Sequence, residues 1–544
     1  MSENSLLQKL RQEYKPRVPC VLEEDFASMS IKETERQDVE QCIRDVFRHT
    51  AGQAFLEVRK GEKKEKEFKR RKIGVILSGG QAAGGHNVIA GFFDAMKKAN
   101  SSSILYGFLG GPSGLVDGKY KELTSSTIDE YRNTGGFDIM GSGRTKIQTD
   151  EQIASAVSVA RELELDGLVI IGGDDSNTNA AFLAEHFLEN GLKTKVVGVP
   201  KTIDGDLKNE YIEMSFGFDT ATKIYSELIG NIARDATSAK KYWHFIKLMG
   251  RSASHIALEC ALQTRPNVCL ISEEVEEEKM TCKMIGEKIA RLVVERSNNG
   301  EDFGIVLVPE GLIEFVPEMK VLICELNEIM GDEKFGALKT MGEKVQAVKK
   351  ELSTSSVKLF ESLPEDVATQ LLLDRDPHGN VQVSRIETEK LIIYFVEKEL
   401  ETLKKAGKYK GKFSSYSHFF GYEGRSAFPS NFDSNYCYTL GYTAFLLIEA
   451  ERTGYIVCVK NLKGDVHDWK VGAVPLVSML NMERRSGKDK LVIKKALVEL
   501  SGKPFLEWKK IEKRAVVTDY RYPGAIQYFG PSELVDSTTL TLSL

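Results

Sequence analysis

GLVIIGGDDSNTNAAFLAEHFLEN, Gly167 to Asn190, is a short apolar run rich in β-branched residues, then a glycine pair, an acidic pair and a stretch of helical periodicity. That order is strand, turn, helix. The same unit occurs upstream as KIGVIL from Lys72, the turn SGGQAAGGHN (Ser78 to Asn87), and VIAGFFDAMKKAN. A third strand, KVVGVP, feeds the polar loop PKTIDGDL, Pro200 to Leu207. Strands and helices alternating at this length argue for a parallel sheet with helices on both faces. Ligands of such sheets bind beyond the carboxyl ends of the strands, where all three polar loops fall.

A second α/β region starts near Tyr242 with YWHFIKLMGRSASHIALECALQ, and GIVLVPEGL near Gly304 repeats the theme. The stretch from Ile313 to about Lys412 is helical and charged. Its charges are expected to form a solvated face, with an oligomer contact or a cap over the site as alternatives. Residues 1–70 read as an extension, with a mixed helical stretch from Ile31 to Phe55 and a lysine-rich lead-in, Lys60 to Lys72. That run is a solvated linker before it is a nuclear address. The expected division is an extension (1–70), a first α/β domain (71–241), a second (242–312 and 413–500), a helical insert (313–412) and a C-terminal segment packing back on the core (501–544).

At 544 residues the chain exceeds one ordinary core. Its 74 Lys plus Arg against 79 Asp plus Glu give a net charge of -5, which offers no field to attract nucleic acid or an anionic membrane. Eight scattered cysteines, without a CxxC pair, suit buried reduced thiols in a cytosolic protein. Neither a signal-peptide core nor an apolar run of about 20 residues is visible, so a cytoplasmic location is expected.

The chemistry concentrates in the loops. SGGQAAGGHN lets backbone N–H groups approach phosphate oxygens, although the Rossmann GxGxxG spacing does not fit and a Walker loop would need lysine at His86. In GGDDS, Asp174 should project where a metal-bound phosphate would sit, since Mg²⁺ takes one or two carboxylates plus phosphate oxygens. Helix capping by Asp175 or Ser176 is the bland alternative. Asp204 and Asp206 are two apart, close enough for one to act as base while the other orients the acceptor. The Lys201 ammonium would keep that base ionised and offset charge on a moving phosphoryl group.

GGDDS and PKTIDGD resemble the signatures of the phosphofructokinase family, in its pyrophosphate-dependent branch. MGR (Met249–Arg251), PEG (Pro309–Gly311) and GYEGR (Gly421–Arg425) follow in the family's order. The resemblance implies two Rossmann-like parallel-sheet domains with the active site in the cleft between them, and transfer of a phosphoryl group from pyrophosphate to the 1-hydroxyl of fructose 6-phosphate. It also implies roles. Gly80 would contact pyrophosphate, Asp174 would hold Mg²⁺, and Asp204 would accept the sugar proton, with Thr202, Ile203 and Asp206 alongside. Lys201 would stabilise the transition state. Met249, Gly250, Arg251, Glu310, Tyr422, Glu423, Gly424 and Arg425 would bind the sugar phosphate, and Lys241 and Tyr242 would reach it from a partner subunit of a homodimer. Arg144, in GSGRT, is a further candidate for pyrophosphate contact.

ATP-dependent members resemble GGDGS and PGTIDND, so Asp175 and Lys201 stand here in place of glycines. A carboxylate at Asp175 would repel a nucleotide's α-phosphate, while Lys201 supplies a cation for pyrophosphate. An ATP-dependent enzyme and a non-catalytic sugar-phosphate-binding subunit are the alternatives. His255, the acidic run Ser272 to Lys279, Trp243 and the aromatics Phe419 to Tyr422 are expected to serve structure: a helix residue, a helix start and packing.

Overall fold

The three runs from Lys72, Gly167 and Lys195 form the centre of a nine-stranded sheet in the computed structural model, which describes residues 5–63, 67–330, 335, 338, 340–373, 381–485 and 488–544. The early strands are β1 (Met29–Arg36), β2 (Ala54–Lys60), β3 (Lys72–Leu77), β4 (Ile104–Phe108), β5 (Tyr120–Glu122), β6 (Gly167–Gly172) and β7 (Lys195–Pro200). Next come β8 (Tyr242–Leu248), β9 (Val268–Cys269), β10 (Phe303–Pro309) and β11 (Ser415–Phe420). Last are β12 (Tyr455–Lys460), β13 (Lys470–Pro475) and the hairpin β14 (Leu480–Arg485) with β15 (Lys488–Ile493).

The large sheet runs β1-β2-β13-β12-β7-β6-β3-β4-β5. Its middle, from β12 to β4, is parallel, and the flanking pairs are antiparallel. From β3 the chain steps to β4 on one side and later to β6 and β7 on the other. The order therefore reverses between β3 and β6, where α/β sheets bind ligands. The strands there, such as β3 and β6, are apolar and buried along almost their whole length, as expected for parallel strands covered on both faces.

This sheet belongs to one unit, residues 1–224, 422–496 and 526–543; the other contains 225–421 and 497–525. The expected domains grouped 413–500 with the second α/β region. Instead β12 pairs with β7, which carries 422–496 into the first unit. The extension is part of the same sheet. Ile31 to Phe55, expected to be mixed helical, is mostly the β1–β2 hairpin around a short helix, Gln41–Val46. Its outer strand, MSIKETER, is exposed and charged along most of its length, as suits a sheet edge.

The second unit has a parallel four-stranded sheet, β11-β8-β10-β9. Helices at Pro317–Met330, Met341–Glu351, Thr354–Ser362, Glu365–Leu373 and Thr388–Lys405 fall in the expected insert, of which 331–334, 336–337, 339 and 374–380 lie outside the described residues. They are more than a solvated face. Leu326, Val348, Phe360, Leu371 and Val396 join Trp243 and Phe245 in one apolar cluster. Glu389 is buried beside Lys247 at 3.6 Å, and the lysine also donates to the Ile386 carbonyl. The helix Lys503–Glu512 packs on His255–Thr264 in the same unit.

All eight cysteines are free thiols; five are buried, while Cys20 and Cys324 are exposed and Cys42 is half-buried. Among the described residues no helix is long and apolar enough to cross a membrane.

Candidate functional site

The β3 and β6 loops are stitched together at the point where strand order reverses. The Ser78 N–H donates to the Ile171 carbonyl at 2.8 Å, and the Ser176 hydroxyl donates to Ser78 Oγ at 2.8 Å. One strand further on, the Lys201 N–H donates to the Gly172 carbonyl at 2.9 Å. Three adjacent strand ends thus present the glycine loop, GGDDS and PKTIDGDL side by side.

The glycine loop is overhung by cations. Gly79 has φ +85°, which favours glycine, and a Cβ there would lie 2.9 Å from the Lys201 ammonium. A Cβ on Gly80 would run into the Arg425 guanidinium, with Arg144 Nη2 at 3.5 Å. Arg425 Nη1 also donates to the Gln81 carbonyl at 3.5 Å. Three cationic side chains over a loop of bare backbone make a site for a small, multiply charged anion. Lys201 is buried, and its pKa falls to about 8 through burial and the neighbouring Arg425 and Arg144, against the pull of Asp204 and Asp174. His86, standing where a Walker lysine would be, is buried, bonded through Nδ1 to Thr134 Oγ1 at 2.8 Å, and pushed down to about 4 by burial. It remains neutral and lends the anion no charge.

Acid faces this cationic group. Asp174 and Asp175 open the helix Asp174–Glu189, whose cap is Gly173 with no side-chain cap bond, so neither Asp175 nor Ser176 is spent on capping. Asp175 forms a half-exposed ion pair with Lys146 at 3.1 Å. The Asp204 N–H donates to Thr202 Oγ1 at 3.1 Å, and Asp204 keeps part of its surface exposed. Ile203 is buried beneath the loop. Asp206 is buried as well, and burial, reinforced by Asp204, pushes its pKa up to about 7 against the influence of Lys495. Lys495 stands 3.7 Å from both Asp174 Oδ2 and Asp206 Oδ2. Burial works against its charge, but the carboxylates of Asp174, Asp206, Asp204 and Asp175 outweigh it and raise its pKa.

Among the described residues no group of three or more His, Cys, Asp or Glu side chains is set to hold a metal by itself. A single carboxylate near a phosphate cradle is instead the donor set of a hard cation that arrives carrying phosphate oxygens. Asp174, with a second carboxylate across the Lys495 ammonium, fits Mg²⁺ in that way. Lys146 and Lys495 escaped the sequence reading, because nothing in their neighbours marks either lysine as a site residue. A cavity of about 280 Å³ lined by Glu33, Arg36, Gln53, Arg452 and Tyr455 shares no residue with these loops.

In the second unit MGR and PEG occupy neighbouring strand ends, after β8 and β10. Gly250 has φ +124°, and its N–H donates to Glu310 Oε2 at 3.2 Å. The Glu310 N–H donates back to the Leu248 carbonyl at 2.9 Å, and the Met249 N–H to Phe420 at 3.0 Å. Met249 and Glu310 are buried and Arg251 is exposed, a guanidinium held out from a fixed backbone. Tyr422, Glu423, Gly424 and Arg425 form a short helix after β11 in sequence. Tyr422 was expected to pack, yet it is 72% exposed; Trp243 is fully buried as expected. Lys241 and Tyr242 lie at the amino end of β8, about 20 Å of strand away from MGR. Tyr242 has φ +76°, an outlier for a bulky residue, and the Lys241 ammonium lies 5.1 Å from the centre of its ring. His255 begins a helix, as expected. The acidic run also starts a helix, but Glu273 and Glu274 are buried, Glu273 accepting from the Ser254 and Val498 N–H groups and Glu274 from Lys509.

Residues 72–448 match the phosphofructokinase family model. The chain is 55% identical over 555 aligned residues to a protein of Treponema pallidum named pyrophosphate--fructose 6-phosphate 1-phosphotransferase, covering 99% of this chain and 97% of that one. A protein of the same name from Entamoeba histolytica is 52% identical, covering 99% of both. The crystal structure of a pyrophosphate-dependent phosphofructokinase from Marinobacter aquaeolei matches the fold with a TM-score of 0.56 at 14% identity, over 87% of this chain and 96% of that one. With its motifs on adjacent strand ends and a family match over most of its length, the chain belongs to the phosphofructokinase family.

Proposed function

We propose that this enzyme transfers a phosphoryl group reversibly from pyrophosphate to the 1-hydroxyl of fructose 6-phosphate, giving fructose 1,6-bisphosphate and phosphate. The observation that carries the proposal is the group of Lys201, Arg144 and Arg425 over Gly79 and Gly80, which suits a compact polyanion. Full-length relatives of that name support it.

Asp204 takes the proton of the 1-hydroxyl as that oxygen bonds to the transferred phosphorus, and the bond from the phosphorus to the bridging oxygen of pyrophosphate breaks to release phosphate. Of the two loop aspartates, Asp204 is the accessible one, and Asp206 is buried, where its carboxyl keeps a proton more readily. Lys201 and Arg425 offset the charge that shifts onto the leaving phosphate. Mg²⁺ held by Asp174 would draw charge from the phosphoryl oxygens. Asp175, paired with Lys146, keeps a carboxylate where an ATP-dependent relative has glycine, and so disfavours nucleotide.

Arg251, Gly250 and Glu310 bind fructose 6-phosphate together with Met249; Tyr422, Glu423 and Gly424 are also assigned to the sugar phosphate, whereas Arg425, expected there too, stands over the donor loop. Lys241 and Tyr242 serve a partner's site in a homodimer, because they sit at the opposite end of β8 from their own MGR. Tyr242's strained φ fits a residue held in place for binding. The free thiols suit a reducing, cytoplasmic setting.

The test is fructose 1,6-bisphosphate formation by the purified protein with Mg²⁺ and either pyrophosphate or ATP, with Asp204→Ala as control. Turnover with pyrophosphate alone, abolished in the variant, is expected. Turnover with ATP alone would overturn the donor assignment.

A further inference from the structure

The chain around Lys495 is pinned on both sides to the donor site. The Ile493 N–H, at the end of β15, donates to Thr178 Oγ1 on the helix Asp174–Glu189 at 3.1 Å. The Ala496 N–H donates to the Asp206 carbonyl at 2.7 Å. The short bridge between these anchors places the Lys495 ammonium 3.7 Å from one oxygen of Asp174 and 3.7 Å from one of Asp206. Both distances exceed a direct N–H···O bond. An ammonium shared evenly between two carboxylates behaves as a counter-ion to both, and at 31% side-chain exposure it has a route outward.

We infer that Lys495 is the resident counter-cation of the donor site, occupying the space between Asp174 and Asp206 until a divalent metal enters together with pyrophosphate. The inference rests on Asp174 being the metal's ligand. A bare dication would have to displace the ammonium from two carboxylates. A dication arriving on pyrophosphate brings oxygens that accept the displaced ammonium's hydrogen bonds. Metal and donor therefore bind as a pair, and the free enzyme holds bare metal weakly.

The test measures Mn²⁺ binding by electron paramagnetic resonance of the full-length enzyme without pyrophosphate. Lys495→Met is expected to bind Mn²⁺ about tenfold more tightly than the unsubstituted enzyme, since removing the ammonium takes away the positive charge that competes with the metal for Asp174. Lys495→Arg, which keeps the charge, should stay near the unsubstituted value. A misfolded variant would lose metal, so a gain cannot come from damage. Equal affinity in Lys495→Met and the unsubstituted enzyme overturns the inference. Asp174→Asn reports separately on the ligand: Mn²⁺ uptake with pyrophosphate should disappear, and its survival would overturn the metal assignment whatever Lys495 does.

Discussion

The Lys201 ammonium lies 2.9 Å from the point where a side chain on Gly79 would begin. A methyl group there meets both the cation and a backbone conformation that L-residues rarely adopt. Gly79→Ala should raise the KM for pyrophosphate at least about fivefold while leaving the KM for fructose 6-phosphate within about twofold, since the cost of about 1–3 kcal/mol falls on one ligand. Steady-state kinetics with each substrate varied in turn checks this, and equal changes in both constants would count against a dedicated donor loop.

Lys201 makes the donor side sensitive to alkali. Its pKa in the free enzyme is about 8, below the ordinary lysine value, because burial and the two arginines disfavour its charge. The ammonium is therefore present below about pH 8 and lost above it. The kcat/KM for pyrophosphate should fall as pH rises through 8 and level off at lower pH, because that ratio reports the free enzyme. In Lys201→Arg the fall should move up by at least a full pH unit.

Donor choice should respond to Asp175. The carboxylate is half-exposed and its ion pair with Lys146 is a type of contact worth about 0–1 kcal/mol, so its removal should not unfold the protein. Asp175→Gly is expected to lower turnover with pyrophosphate and to allow measurable turnover with ATP, seen in a coupled assay with both donors.

Much of this site could be read before any coordinates. GGDDS and PKTIDGDL were identifiable because glycine and acid interrupt an apolar strand at its end, MGR and PEG through the resemblance to a family, and the structure puts all four at strand ends. The β1–β2 hairpin was missed because an edge strand such as MSIKETER lacks an apolar face. The sheet partner that holds the hairpin, β13, lies some four hundred residues downstream, beyond any local pattern. Lys495 was invisible for a related reason: it lies in an ordinary run, IKKAL, and acquires meaning only through its distance to two aspartates.

The position of Lys241 and Tyr242 calls for a mixing experiment. Asp204→Ala and Lys241→Ala enzymes should each be impaired alone. Dimers re-formed from an equal mixture should recover about one quarter of the sites, because half the dimers are mixed and each mixed dimer has one intact site. Absence of recovery under conditions that re-form active unsubstituted dimers would place both residues in the site of their own chain.

The N-terminal extension carries structural weight through Arg11. Its buried guanidinium donates to Asn431 Oδ1 at 2.7 Å, the Pro429 carbonyl at 2.6 Å and Ser434 Oγ at 2.6 Å, and lies over the rings of Tyr14 and Tyr528. Arg11→Ala leaves these acceptors buried without their donor and should destabilise the first unit by about 3–5 kcal/mol. Urea unfolding followed by circular dichroism should show its transition at lower urea.

The ladder that joins Leu56 and Glu57 to Ala473 and Gly472 also fixes an order of events during synthesis. At about 5–20 residues per second, the β1–β2 hairpin leaves the ribosome roughly 20–80 s before the strand that covers its inner edge exists. Throughout that interval Phe55, Leu56 and Val58, all buried in the finished sheet, have no β13 beside them. A nascent chain stopped short of Lys470 would carry an open, apolar sheet edge, which makes this hairpin a natural place for a chaperone to hold the growing protein.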